Sequence, residues 1–179
     1  MKHTTHLIVI VSALLSTGAV FTQQASASEV ASAPYEMVVV DNRASGDLVS
    51  RGEFESAVNR ITSRYTGYPF ATATNLCTAL SLLGNFDKAE SHCNEAVKLA
   101  NRSAVPAPKS WKARRQATSH QSLAYSNRGV FRALNGDSSG AEKDFQAAIE
   151  HNTNLHAPAR NLARVQLEPH GPIVAKVNH

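Results

Sequence analysis

The sequence predicts an all-α protein: a superhelix of about three stacked helix pairs closed by a C-terminal capping helix. Three observations carry this. The heptapeptides Arg51–Ala57, Leu83–Ala89 and Asn135–Ala141 superimpose, each placing its glycine (Gly52, Gly84, Gly136) five residues before its alanine (Ala57, Ala89, Ala141). Those alanines lie about 32 and then about 52 residues apart, the kind of recurrence that marks repeated helical units. Between Asn75 and Leu99, Leu76, Ala79, Leu80 and Leu83 share one helical face, and Ala89, Cys93, Ala96 and Val97 share another. The inward residues are mostly Ala, Cys and Leu, so the helices can approach closely. One pair cannot bury its apolar face alone, whereas stacked pairs can.

Residues 1–27 read as a secretory signal peptide. Lys2 and His3 precede an apolar run from Leu7 to Val20, and Ala25-Ser26-Ala27 offers an A-x-A cleavage site. The competing reading, a membrane anchor, needs ~18–20 apolar residues, and this run has about fourteen. No cysteine stands at the cleavage site to carry a lipid. Export to the periplasm or beyond is therefore expected, leaving a chain of about 152 residues, enough for one domain with a core. Residues 28–46 are expected to be extended, because Val38-Val39-Val40 disfavours helix. The plain reading is a leader lying along the first helices. The sharper one is a strand meeting Ile173–Val177. An uncovered apolar strand invites aggregation, so something is expected to cover it.

The repeat domain is assigned to 47–168. Asp47–Arg64 is a degenerate first pair with a truncated leading helix. Tyr65–Phe70 is a turn, with Pro69 biasing Tyr68 away from helix. The central pair runs from about Ala71 to Ala100 and breaks at Gly84-Asn85. Asp87 with Glu90 resembles a capping box, repeated by Ser139 with Glu142. Asn101–Pro108 is a loop. Ser110 is placed as an N-cap for an uninterrupted helix to Leu134, so much of an insertion at about 102–121 is helical. Ala141 to His151 is its partner. Pro158–Leu167 begins a further unit that never receives its second helix and is expected to act as a cap. Residues 169–179 are expected to be a loose tail.

Tyr125-Ser126-Asn127-Arg128-Gly129 followed by Ala141, Phe145, Ala148 and Ile149 carries a signature of aromatic, small, Ala, aromatic and Ala positions. On these residues the chain resembles the tetratricopeptide repeat family over roughly 46–168, and small envelope proteins of proteobacteria containing such repeats. It departs from the family at Cys77 (usually Gly or Ala), Cys93 (usually aromatic) and Arg128 (usually Leu). The resemblance implies a non-enzymatic scaffold of the cell envelope that binds a protein or peptide. Asn75, Asn127 and Asn161 share one repeat position and resemble an asparagine ladder that grips the backbone of an extended peptide. A side-chain amide offers both a donor and an acceptor, matching a peptide unit. The ladder could equally bond within its own array. The alternative function is a structural subunit, or a repeat protein that associates with itself. A ladder open to solvent would favour the first, and a groove filled by the valine segment the second.

Cys77 and Cys93 sit where the family's inward positions face each other within one pair, and an exported chain with two cysteines is expected to bridge them. Such a bridge closes a loop of about 17 residues and stabilises by roughly 3 kcal/mol. The alternative is two buried thiols acting as small hydrophobes. Lys109, Lys112, Arg114 and Arg115 surround Trp111 at a helix N-terminus, where cations oppose the dipole. They suggest a surface for an acidic partner or an anionic membrane, against a plain solvated face. Arg128 and Arg132 need carboxylate partners, with Asp144 and Glu142 as candidates. No motif supplies catalytic residues, a metal site or a cofactor site. A net charge of +4 on an exported chain does not point to nucleic acid. Oligomeric state and partner identity are not encoded in these patterns.

Overall fold

The computed structural model describes residues 35–40, 45–63 and 67–167, and the backbone alone at 175–178. Residues 1–27, expected to be a signal peptide, lie outside the described residues. Helices α1 (Gly46–Ser50), α2 (Phe54–Ser63), α3 (Pro69–Leu82), α4 (Phe86–Ala104), α5 (Trp111–Leu134), α6 (Ser138–His151) and α7 (His156–Leu167) lie between strands β1 (Tyr35–Val38) and β2 (Ala175–Asn178). The chain is thus mostly helical, and each helix from α3 to α7 packs on the next.

The repeated glycines explain the helix boundaries. Gly52, Gly84 and Gly136 take φ of +77°, +70° and +85°, a conformation that a side chain would strain. After each one the next amide reaches back five residues: Glu53 N–H to Leu48 O (2.9 Å), Asn85 N–H to Leu80 O (2.9 Å) and Asp137 N–H to Arg132 O (2.8 Å). This satisfies a carbonyl at the helix end and turns the chain back, as a Schellman motif does. The alanines five residues on, Ala57, Ala89 and Ala141, are all fully buried.

The caps differ from the sequence expectation. Helix α4 starts at Phe86 with Asn85 at its N-cap and no side-chain cap bond, so Asp87 lies inside the first turn rather than capping it. In α6 the cap is Asp137, whose Oδ1 accepts from Gly140 N–H at 2.8 Å, in place of Ser139. Both helices begin directly after the left-handed glycine turn, two residues earlier than the box requires, so the third helical residue is Lys88 in α4 and Gly140 in α6 rather than a glutamate. Ser110 does cap α5, its Oγ accepting from Ala113 N–H at 3.2 Å.

Cys77 and Cys93 form a disulfide between α3 and α4, with Cα atoms 4.7 Å apart. In the next pair the corresponding positions are Gly129 and Phe145. A Cβ on Gly129 would sit 2.5 Å from Phe145 Cε1, so the ring needs the glycine. The covalent bridge therefore stands where a glycine–aromatic contact holds the following pair.

The tail is not loose throughout. Residues 175–178 pair in parallel with β1, in the register Tyr35 with Ala175 through Val38 with Asn178. The strand reading of the valine segment holds, shifted slightly towards the N-terminus. Tyr35 and Met37 join Ile61, Leu76, Leu80, Val130, Phe145 and Val165 in the main core, so β1 is as much interior as the helices are.

Candidate peptide-binding site

The three asparagines of the shared repeat position come from α3, α5 and α7, every second helix of the stack. Each is at most 1% exposed. All three face one extended backbone, and that backbone is the chain's own. Asn161 Oδ1 accepts from Glu36 N–H at 2.9 Å while its Nδ2 donates to Glu36 O at 2.8 Å. Asn127 does the same to Val38, at 2.8 and 2.7 Å. Asn75 does so to Val40, at 3.0 and 2.9 Å.

In an extended strand the amide and carbonyl of one residue point to the same edge, and alternate residues share that edge. Residues 36, 38 and 40 therefore offer one edge to the asparagines, leaving the opposite edge for β2. One amide per two strand residues satisfies the whole edge. The side chains are themselves held in register. Asn127 Nδ2 also donates to Thr78 Oγ1 (2.9 Å), which donates to Thr74 O (3.1 Å), and Asn75 Nδ2 reaches Ser45 Oγ (3.3 Å). For Asn127 and Asn75 these second donations fix which way the amide faces, since only the NH2 end can serve a carbonyl and a hydroxyl together.

The strand's side chains are read as well, and sequence reasoning missed the residues that read them. Arg160 on α7 donates from Nε to both Glu36 carboxylate oxygens, at 3.0 and 3.1 Å, and its Nη2 also reaches Oε2. The hydrogen bond to Glu36 lifts the Arg160 guanidinium above its ordinary value, against some loss of hydration. Arg164, one turn on, lies over the Tyr35 ring at 4.4 Å, and the ring's other neighbour is Phe145 at 6.4 Å. Burial pushes the Tyr35 phenol up, with Arg164 pulling the other way. The only sequence signal was a pair of arginines four apart on the cap helix. Their target lies 124 or more residues earlier in the chain.

The other candidate residues divide cleanly. Asp144, 3% exposed, accepts a two-pronged contact from Arg128 (2.8 Å each) and another from Arg132 Nη1 at 3.0 Å. Burial would lower the Arg128 guanidinium, but Asp144 holds it above its ordinary value. This cluster ties α5 to α6, and Glu142 takes no part in it. Lys109, Lys112, Arg114 and Arg115 are exposed and lie just before α5 or in its first five residues, at the other end of that helix from most of the ladder's contacts. Among the described residues, no group of three or more His, Cys, Asp or Glu is placed to hold a metal ion. No described helix is long and apolar enough to cross a membrane.

No family model, no curated protein and no solved structure matches the chain.

Proposed function

We propose that this chain is a non-enzymatic scaffold of the cell envelope, a tetratricopeptide-type stack whose peptide-binding groove is closed by its own N-terminal strand. It then serves as a structural subunit that meets partners through its outer surfaces. The observation that carries this reading is the set of six hydrogen bonds from Asn75, Asn127 and Asn161 to the backbone of residues 36–40. A superhelical arrangement is supported by the alternation of ladder-bearing and backing helices, and by the same left-handed glycine turn at three junctions. Export is supported by the signal-like composition of residues 1–27 and by the Cys77–Cys93 bridge, which suits an oxidising compartment.

Tethering of the strand supports the structural-subunit reading over the peptide receptor. Only the seven residues 39–45 separate β1 from α1 along the chain. A segment held that close acts at an effective concentration on the order of 1 mM. A free peptide making the same contacts would have to exceed that to displace it. The test is to titrate a labelled peptide of residues 35–40 into the intact, processed protein. No saturable binding below about 1 mM is expected. Saturable micromolar binding, lost when all three asparagines become alanine, would instead establish a receptor for extended peptides.

A further inference from the structure

Between Glu95 and Asp137 the chain contains no acidic residue, but eight cations: Lys98, Arg102, Lys109, Lys112, Arg114, Arg115, Arg128 and Arg132. Three of the eight are matched, Lys98 by Glu95 and the last two by Asp144. The remaining five belong to the junction where α4 ends and α5 begins. None of these five has a carboxylate within ion-pair distance among the described residues, and Arg114 uses its guanidinium on the Pro108 and Lys109 carbonyls, at 3.3 and 3.0 Å. Those two bonds fold the junction back on itself and hold it as a defined knuckle.

Two large apolar side chains stand on the same knuckle. Val105 is 76% exposed and Trp111 64% exposed, and the Arg115 guanidinium lies 5.6 Å over the indole ring. Four cations at or just before a helix start oppose the helix dipole, so helix stability does not account for them. Nor does packing account for an indole in water. An indole flanked by lysines and arginines has the chemistry of a side chain seated at a membrane–water interface. Surface attachment needs two signals, charge and inserted apolar area, and the knuckle supplies both. The apolar part consists of two isolated side chains rather than a continuous patch, which suits insertion between lipid headgroups better than burial against a protein core.

We propose that the α4–α5 knuckle is a peripheral attachment site for anionic phospholipid, with Trp111 and Val105 entering the headgroup layer and Lys109, Lys112, Arg114 and Arg115 contacting phosphates. The site lies apart from the asparagine ladder and does not depend on what the ladder holds.

Trp111 is the chain's only tryptophan, so its emission reports on this site alone. The intact protein should show a blue-shifted Trp111 emission and reduced acrylamide quenching with phosphatidylcholine vesicles containing phosphatidylglycerol, but not with phosphatidylcholine alone. Raising salt should reverse the shift, since exposed charges are screened. K109E/K112E leaves the reporter in place and puts acids where the dipole favours them, so the fold is retained. It should weaken vesicle partition by at least about 25-fold, taking roughly fivefold for each cation lost and adding the repulsion of the two new carboxylates. Unchanged emission with the anionic vesicles would overturn the proposal. A shift seen only with polyglutamate would overturn it too, and would reassign the knuckle to an acidic protein partner.

Discussion

Removing the central rung of the ladder is the most direct test of how the chain holds its own strand. Asn127→Ala deletes the bonds to Val38 N–H and Val38 O, at 2.8 and 2.7 Å, and takes away the donor to Thr78 Oγ1. A buried group left without a partner costs about 1–3 kcal/mol. Val38 is only half-buried, so water can reach part of what is lost. The expected penalty is about 3 kcal/mol, which is roughly 150-fold in the opening equilibrium of β1. Local opening of this kind is read by native-state hydrogen exchange. The amides of Glu36, Val38 and Val40 should lose protection together, because Asn161 and Asn75 hold neighbouring rungs of one strand. Buried Tyr35 and Met37 leave the core when it opens, so the denaturation midpoint should fall as well. Asn127→Asp should be worse than Ala, since a carboxylate would face the Val38 carbonyl. Unchanged protection at all three amides in Asn127→Ala would refute the reasoning and mark the ladder as incidental to docking.

Breaking the disulfide, as in C77A/C93A, should cost about 3 kcal/mol in chemical denaturation. C77G/C93F should recover part of that loss by copying the Gly129–Phe145 contact of the next pair, and equal stability of C77A/C93A and the native protein would dismiss the bridge as a staple. Asp144→Ala leaves Arg128 and Arg132 facing each other in a mostly buried site, and a loss of about 3–5 kcal/mol is expected by thermal or chemical unfolding. His92 and His120 are both held below the usual imidazole value of 6.5 by burial, and His120 also stacks on Phe70 at 4.1 Å. The unfolded chain therefore binds these protons more readily than the folded one, so their neutral-state stability is intact above about 6.5 and is lost as pH falls below it. H92Q/H120Q should flatten the dependence of the denaturation midpoint between about pH 5 and 7, and an unaltered slope would remove these two groups as its cause.

The sequence by itself determined the helical class, the glycine turns between helices and the burial of the three alanines, although α4 runs on to Ala104 where a loop from Asn101 was expected. Glycine at a left-handed turn and small residues at helix crossings are local requirements, written in the few residues that meet them. The disulfide was also legible, because the two facing stripes belong to neighbouring helices. What the ladder holds was not. Asn75, Asn127 and Asn161 were identifiable as one repeat position, but a bidentate amide fits any extended backbone and carries no address for it. Only the tertiary structure brought Glu36, Val38 and Val40 to those amides, Arg160 to Glu36, and residues 175–178 to the strand's other edge. Those contacts join residues 35 or more positions apart in the chain, and they arise from the shape of the assembled stack rather than from any periodicity a sequence displays.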